Sequence, residues 1–210
     1  MDNFIKTYKN QFTDDLCDKL INVFEQNHKE GLTEFGDFGK GSKDEKLKNS
    51  FDLSLNPGST KLVDVNLCAY IESCIICPIQ DYVNTYMINF DGKNYNLNLE
   101  ETQKYFGLLQ PPKLKKYIAP SGGYHAWHQD WGVTRVQSSR YLVVMAYLND
   151  VSEGGETGFF HQNLKIKPEK GKVVIFPPYF THTHKGYPPL TGNKYICNCY
   201  IGVNAKSLSR

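Results

Sequence analysis

A chain of 210 residues with 40% hydrophobic and 22% charged residues can bury one substantial core and is too apolar to stay disordered. Its formal net charge is only +2, and the basic residues are scattered rather than gathered into an arm, so no nucleic-acid partner is expected. Met1 to Lys6 lacks the apolar run of a secretory signal and no stretch has the length of a membrane span, which predicts a soluble, cytoplasmic protein with no membrane partner.

A helix is predicted from Thr13, whose hydroxyl can cap while Asp14 and Asp15 occupy the positive first turn and Leu16, Leu20, Ile21 and Phe24 form an apolar stripe. Glu30 to Ser50, with Gly36, Gly39 and Gly41, reads as an irregular surface loop or a substrate lid. Apolar residues return at helical spacing from about Leu62 to Tyr86, where Pro78 leaves one kinked helix or two. The six cysteines are expected as free thiols, with Cys74 and Cys77 in the core rather than in a metal or redox pair.

Beyond Asn89 the texture becomes β-like. Strands are predicted at Lys116 to Ala119, Tyr124 to Trp131, Tyr141 to Leu148, Lys172 to Phe176 and Tyr195 to Val203, separated by glycine turns. Short strands at this spacing favour a sandwich or barrel of the jelly-roll kind behind N-terminal helices, a mainly β, α+β arrangement. A single domain over 1–210 is expected, with a helical support region over 1–95 and a jelly-roll core over 96–210.

His128-Gln129-Asp130 falls inside a predicted strand, so alternation puts the imidazole and the carboxylate on one face and Gln129, with Trp127 and Trp131, on the other. The two tryptophans are expected in the core. Thr181-His182-Thr183-His184 supplies a second imidazole, from either histidine, since residues two apart on a strand share a face. His125 and His161 have no partner at ligand spacing. Two histidines and one carboxylate form the facial set that suits iron(II), leaving positions open for a 2-oxoacid and dioxygen. A dianionic cosubstrate also needs a fixed cation, and Lys194 lies ten residues past His184.

Four stretches in this order carry a likeness: His128-Gln129-Asp130; Arg140 followed by Tyr147-Leu148; Gly154-Gly155-Glu156-Thr157 with Phe159; and His184-Lys185-Gly186-Tyr187-Pro188 running to Gly192-Asn193-Lys194. Together they resemble the prolyl 4-hydroxylase-like branch of the iron(II)/2-oxoglutarate dioxygenases. The resemblance covers roughly Tyr117 to the C-terminus and implies a double-stranded β-helix. It also implies iron(II) on His128, Asp130 and His184, with His182 in a supporting role. Lys194 and Thr157 would hold the distal carboxylate of 2-oxoglutarate, Tyr117 would help bind it, and Arg140 would lie near the substrate.

The implied reaction consumes dioxygen and 2-oxoglutarate, releases succinate and CO2, and hydroxylates a C–H bond, with ascorbate as reductant. A peptidyl proline is the first expectation for the substrate. The alternatives are a free amino acid, another small molecule, or a metal-binding jelly roll without catalysis.

Overall fold

The computed structural model describes residues 2–36 and 43–204. Gly39 and Gly41 therefore lie outside the described residues, as does the middle of the predicted loop or lid. Its flanks form short strands.

In chain order the elements are β1 (Lys6–Tyr8), α1 (Asp14–Lys29), β2 (Glu34–Phe35), β3 (Lys48–Asn49), β4 (Phe51–Ser54), α2 (Val65–Tyr86) and α3 (Leu99–Tyr105). There follow β5 (Phe106–Leu108), β6 (Lys113–Tyr117), β7 (Gly123–His128), α4 (Arg135–Ser138), β8 (Leu142–Tyr147), β9 (Thr157–Phe159) and β10 (Leu164–Ile166). The chain ends with β11 (Val173–Phe176), a 3-10 turn at Phe180–His182, β12 (His184–Gly186) and β13 (Lys194–Val203).

Local chemistry explains the helices. Thr13 caps α1 by accepting from the Leu16 amide at 3.2 Å, and Asp64 caps α2 by accepting from the Leu67 amide at 2.7 Å. α2 runs unbroken through a buried Pro78, so the one-helix alternative holds. α3 is an element the sequence reading lacked, although Asn98 and Glu101 form a reciprocal capping box.

The strands form two antiparallel sheets. The larger is ordered β1-β11-β8-β13-β6-β4-β2, with β5 also on β13, and the smaller is β10-β9-β12-β7-β3. β8 is buried throughout because the larger sheet is covered on both faces. Leu142, Val144, Ala146, Cys197 and Cys199 pack with the residues of α1 and α2, whereas Val143, Met145, Tyr147, Ile196 and Tyr200 pack with Phe159 and Phe176 between the sheets. Two sheets packed in this way, with helices behind one of them, are the jelly roll foreseen from the strand spacing.

Several expectations need correction. The strand set at Lys116 to Ala119 is β6, ending at Tyr117, and the strand set at Tyr124 to Trp131 stops at His128. Trp127 and Trp131 are not core but 40% and 38% exposed, Trp127 on the outer face of the smaller sheet and Trp131 in the loop beyond β7. Cys74 is half-buried and Cys77 exposed, while all six cysteines are free. No helix among the described residues is long and apolar enough to cross a membrane.

Candidate metal and cosubstrate site

β7 and β12 lie side by side in the smaller sheet, in a register that pairs His128 with His184. The rings meet with centroids 4.3 Å apart, and one ligand atom each from His128, Asp130 and His184 lies within 4.8 Å of the others. The Nε2 of His184 is 3.5 Å from Oδ2 of Asp130. Among the described residues this is the one group of at least three His, Cys, Asp or Glu side chains that could hold a metal ion.

The backbone decides which nitrogens face inward. Nδ1 of His128 is 3.1 Å from the Ala126 carbonyl and Nδ1 of His184 is 2.9 Å from the His182 carbonyl. Carbonyls only accept, so each Nδ1 carries the proton and each Nε2 keeps its lone pair for a metal. His182 is itself buried, with Nε2 3.0 Å from the Asn3 carbonyl and Nδ1 2.9 Å from the Thr181 hydroxyl. It belongs to the 3-10 turn before β12, so strand alternation does not bring it to the metal side; its carbonyl orients His184. His161 is exposed and His125 half-buried, and neither joins the group.

Asp130 is presented by a loop, not by strand alternation. Its amide and that of Trp131 both donate to the Pro178 carbonyl, at 3.0 and 2.9 Å, and Arg140 Nη1 donates to its carbonyl at 2.7 Å. The Tyr200 hydroxyl donates to its Oδ1 at 3.1 Å, which leaves Oδ2 toward His184. In β7 the amides of His125 and Ala126 both donate to the Leu47 carbonyl, the signature of a bulge, and the Tyr124 ring stacks on His128 at 3.5 Å.

The electrostatics match a deprotonated ligand set. Burial, with the neighbouring His184, pushes His128 down to about 3, and burial also lowers His184. Burial alone would raise Asp130, but electrostatic interaction with His184, His128, Lys115 and Arg140 outweighs it and holds the carboxyl below its ordinary value. Two neutral imidazoles and one carboxylate, three positions on one side of a cavity, are the donor chemistry of a non-haem iron(II) site, so the residues fit that ion.

The same cavity is lined by Lys194, Thr157, Tyr117 and Lys115. Lys194 is 1% exposed and donates to the Gly155 carbonyl at 2.8 Å, and its ammonium lies 4.6 Å from the centre of the Tyr117 ring. Gly154 and Gly155 both have positive φ, +74° and +73°, and this left-handed turn aims the carbonyl at the lysine. Burial pushes Lys194 down to about 7, against the pull of Glu156. Thr157 accepts from the Tyr147 hydroxyl at 2.7 Å and donates to the Met145 sulfur at 3.9 Å, a weak contact that a ligand carboxylate would displace.

Arg140 stacks its guanidinium 3.6 Å over Tyr200 and makes no ion pair with a carboxylate among the described residues. It lines an outer cavity that also holds Lys48, Lys113, Lys115, His128 and Asp130. Sequence reasoning missed Tyr124, Tyr200, Asn198 and Lys115. Alternation from Lys194 along β13 would have found Asn198 and Tyr200, which follow it on the same face at four and six residues.

Residues 112–202 match the family model described as the 2OG-Fe(II) oxygenase superfamily. A 70-residue stretch is 33% identical to a protein of Acanthamoeba polyphaga mimivirus named "Putative prolyl 4-hydroxylase", covering 30% of this chain and 29% of that relative. The chain thus spans under a third of that relative's length. Among solved structures, the viral collagen prolyl hydroxylase of Paramecium Bursaria Chlorella virus-1 superposes with a TM-score of 0.60 at 23% identity, over 94% of this chain and 95% of that one. A prolyl hydroxylase of Trichoplax adhaerens, in complex with a hypoxia inducible factor peptide fragment, gives a TM-score of 0.70 at 16% identity, over 99% and 88%. A prolyl-4-hydroxylase of Pseudomonas putida gives 0.64 at 13% identity, over 95% and 92%.

The triad and its lysine thus lie in one jelly-roll cavity, within the stretch that matches the 2OG-Fe(II) oxygenase superfamily. The 70-residue likeness and the superposed structures are to proteins named as prolyl hydroxylases.

Proposed function

We propose that residues 1–210 form one dioxygenase domain that converts 2-oxoglutarate and O2 to succinate and CO2 while hydroxylating a C–H bond of a peptidyl proline. The observation that carries this reading is that His128, Asp130, His184 and Lys194 line one cavity. The names of the similar proteins favour proline over a free amino acid as the acceptor. Six free thiols fit a reducing, cytoplasmic setting.

Nε2 of His128, Nε2 of His184 and one Asp130 oxygen would hold iron(II), which supplies the centre where O2 and the 2-oxoacid react. The carbonyls of Ala126 and His182 keep each Nδ1 proton away from that centre. Tyr200 ties the second Asp130 oxygen. Lys194 would pair with the distal carboxylate of 2-oxoglutarate, Thr157 would donate its hydroxyl to the same group, and Tyr117 would close the cavity over it. Met145, Ile196 and the buried Phe159 and Phe176 exclude water. Arg140 would stand on the substrate side.

The test is aerobic incubation with iron(II), ascorbate, 2-oxoglutarate and a panel of proline-containing peptides. Succinate should be released, mass spectrometry should find one added oxygen on a peptide, and His184→Ala should abolish both. Oxidation of free amino acids with no peptide product would move the substrate to the small-molecule class. Absence of succinate under every condition would leave a binding protein.

A further inference from the structure

β6 sends Lys113, Lys115 and Tyr117 toward the cavities, and Lys115 is the buried member of its two lysines, 8% exposed. Lys115 lines both the inner cavity, with the triad and Lys194, and the outer one, with Arg140 and Lys113. It therefore stands where the two meet.

Its natural carboxylate partner is already taken. Asp52, directly across from Lys115 in the β4–β6 register, accepts from Lys48 through one oxygen at 2.9 Å and from Ser50 through the other at 2.8 Å. Lys115 makes no ion pair among the described residues. Asp52 and Asp130 act on Lys115 only through space, with no direct contact. A buried ammonium that no carboxylate touches is costly, so its retention at the junction of two cavities points to a ligand that supplies the contact.

The charges of the occupied site identify what is missing. On the function proposed above, the two positive charges of iron(II) and that of Lys194 are balanced by Asp130 and the two carboxylates of 2-oxoglutarate. Lys48 and Asp52 balance each other. Lys115 is left over, with the part-exposed Arg140 and Lys113 beside it. Arg140 adds a buried Nε that has no partner among the described residues.

We propose that Lys115, with Arg140 and Lys113 at the mouth, binds a carboxylate of the substrate close to the carbon that is hydroxylated. The carboxylate is the side chain of an Asp or Glu flanking the target in a peptide, or the α-carboxylate of a free amino acid. This rests on the oxygenase reading, and its test separates the two.

Binding is measured by calorimetry under nitrogen, with the full chain holding iron(II) and 2-oxoglutarate. The probes are peptides with one proline flanked by Asp or Glu, their Asn or Gln twins, and free L-proline against L-prolinamide. The acid member of one pair should bind about tenfold tighter than its amide, a single charge-assisted contact. The pair that discriminates names the source of the carboxylate. Lys115→Met should bring the ratio to near one, and Lys115→Arg should keep it.

A ratio near one for every pair in the unsubstituted protein overturns the proposal, and so does a ratio that survives in Lys115→Met. Weaker 2-oxoglutarate binding in Lys115→Met without any effect on the ratio assigns the lysine to the cosubstrate and also overturns it. Should Lys115→Met fail to fold, the ratio in the unsubstituted protein decides, and raised salt should shrink it. A preserved acid preference with no succinate formed in air sinks the oxygenase reading and leaves this one standing.

Discussion

His128 and His184, 56 residues apart in sequence, are direct register partners across β7 and β12. Each ring is fixed by a carbonyl two residues before it, Ala126 for one and His182 for the other. The strand pairing thus sets the separation of two metal-facing nitrogens, and the carbonyls set their tautomers. Asp130 reaches the same point from a loop pinned to Pro178.

This division of labour separates His184 from His182. His184→Ala removes an Nε2 donor and should abolish tight metal binding, read by anaerobic titration with iron(II) or cobalt(II). His182→Ala keeps the carbonyl that orients His184 and should weaken binding no more than the roughly 10–100-fold typical of supporting groups. It should also lower stability, because the ring ties the turn to Asn3. Tight metal binding in His184→Ala and none in His182→Ala would reverse the assignment.

Occupancy should stabilise the fold, since a site assembled from β7, β12 and a loop does not exist in the unfolded chain. At a free concentration about 100 times Kd a ligand adds about 2.7 kcal/mol. For a chain of this size that corresponds to a rise in Tm of about 5–10 °C. Differential scanning fluorimetry with cobalt(II) and 2-oxoglutarate should give this rise, and EDTA should reverse it. No rise at saturation would argue against a preformed site.

Much of this architecture was legible in the chain because long apolar runs have one stable solution. Tyr141 to Leu148 reads as a strand, and its lack of alternation reflects helices on one face and a sheet on the other. β9, β10 and β12 have three residues each, too few for a period to show. Position in sequence singled out His128, Asp130, His184 and Lys194, which line one cavity, but not how Asp130 is held, since a strand ending at His128 cannot be told from one that runs on. Lys115 was illegible for a different reason. In Lys113-Leu114-Lys115-Lys116-Tyr117 the lysines look alike, and only the neighbours on β4 and β13 bury one of them facing the metal side while Lys116 pairs with Glu25 at 2.8 Å.

Cosubstrate binding should depend on pH through Lys194. In the free protein burial lowers this ammonium to about 7. A carboxylate at its side raises it again, so binding takes up a proton between the two values. Affinity for 2-oxoglutarate should be level below about pH 7 and fall by up to about tenfold per unit above it. Calorimetry in buffers of different ionisation enthalpy should register the proton, and Lys194→Met should remove both the uptake and most of the affinity. Affinity that rises with pH would exclude the lysine as the carboxylate's partner.

The metal-free protein should be acid-sensitive in a defined window. His128 titrates near 3 in the fold, and His184 is lowered as well, whereas an unfolded histidine titrates near about 6.5. Between these values the unfolded chain binds protons that the folded one refuses, so this stability is complete above about 6.5 and is lost as the pH falls toward the folded values. Each buried imidazole contributes up to about 1.4 kcal/mol per pH unit in that window. Asp130, also held low, acts in the same direction at lower pH. Urea unfolding of the metal-free chain at pH 7.5, 6.5 and 5.5 should show little change over the first step and a loss of about 1–2 kcal/mol over the second, with a smaller loss in His128→Phe. Equal stability at 6.5 and 5.5 would mean that the two rings take up protons freely in the folded state, which their burial against Phe159, Phe176 and Tyr124 argues against.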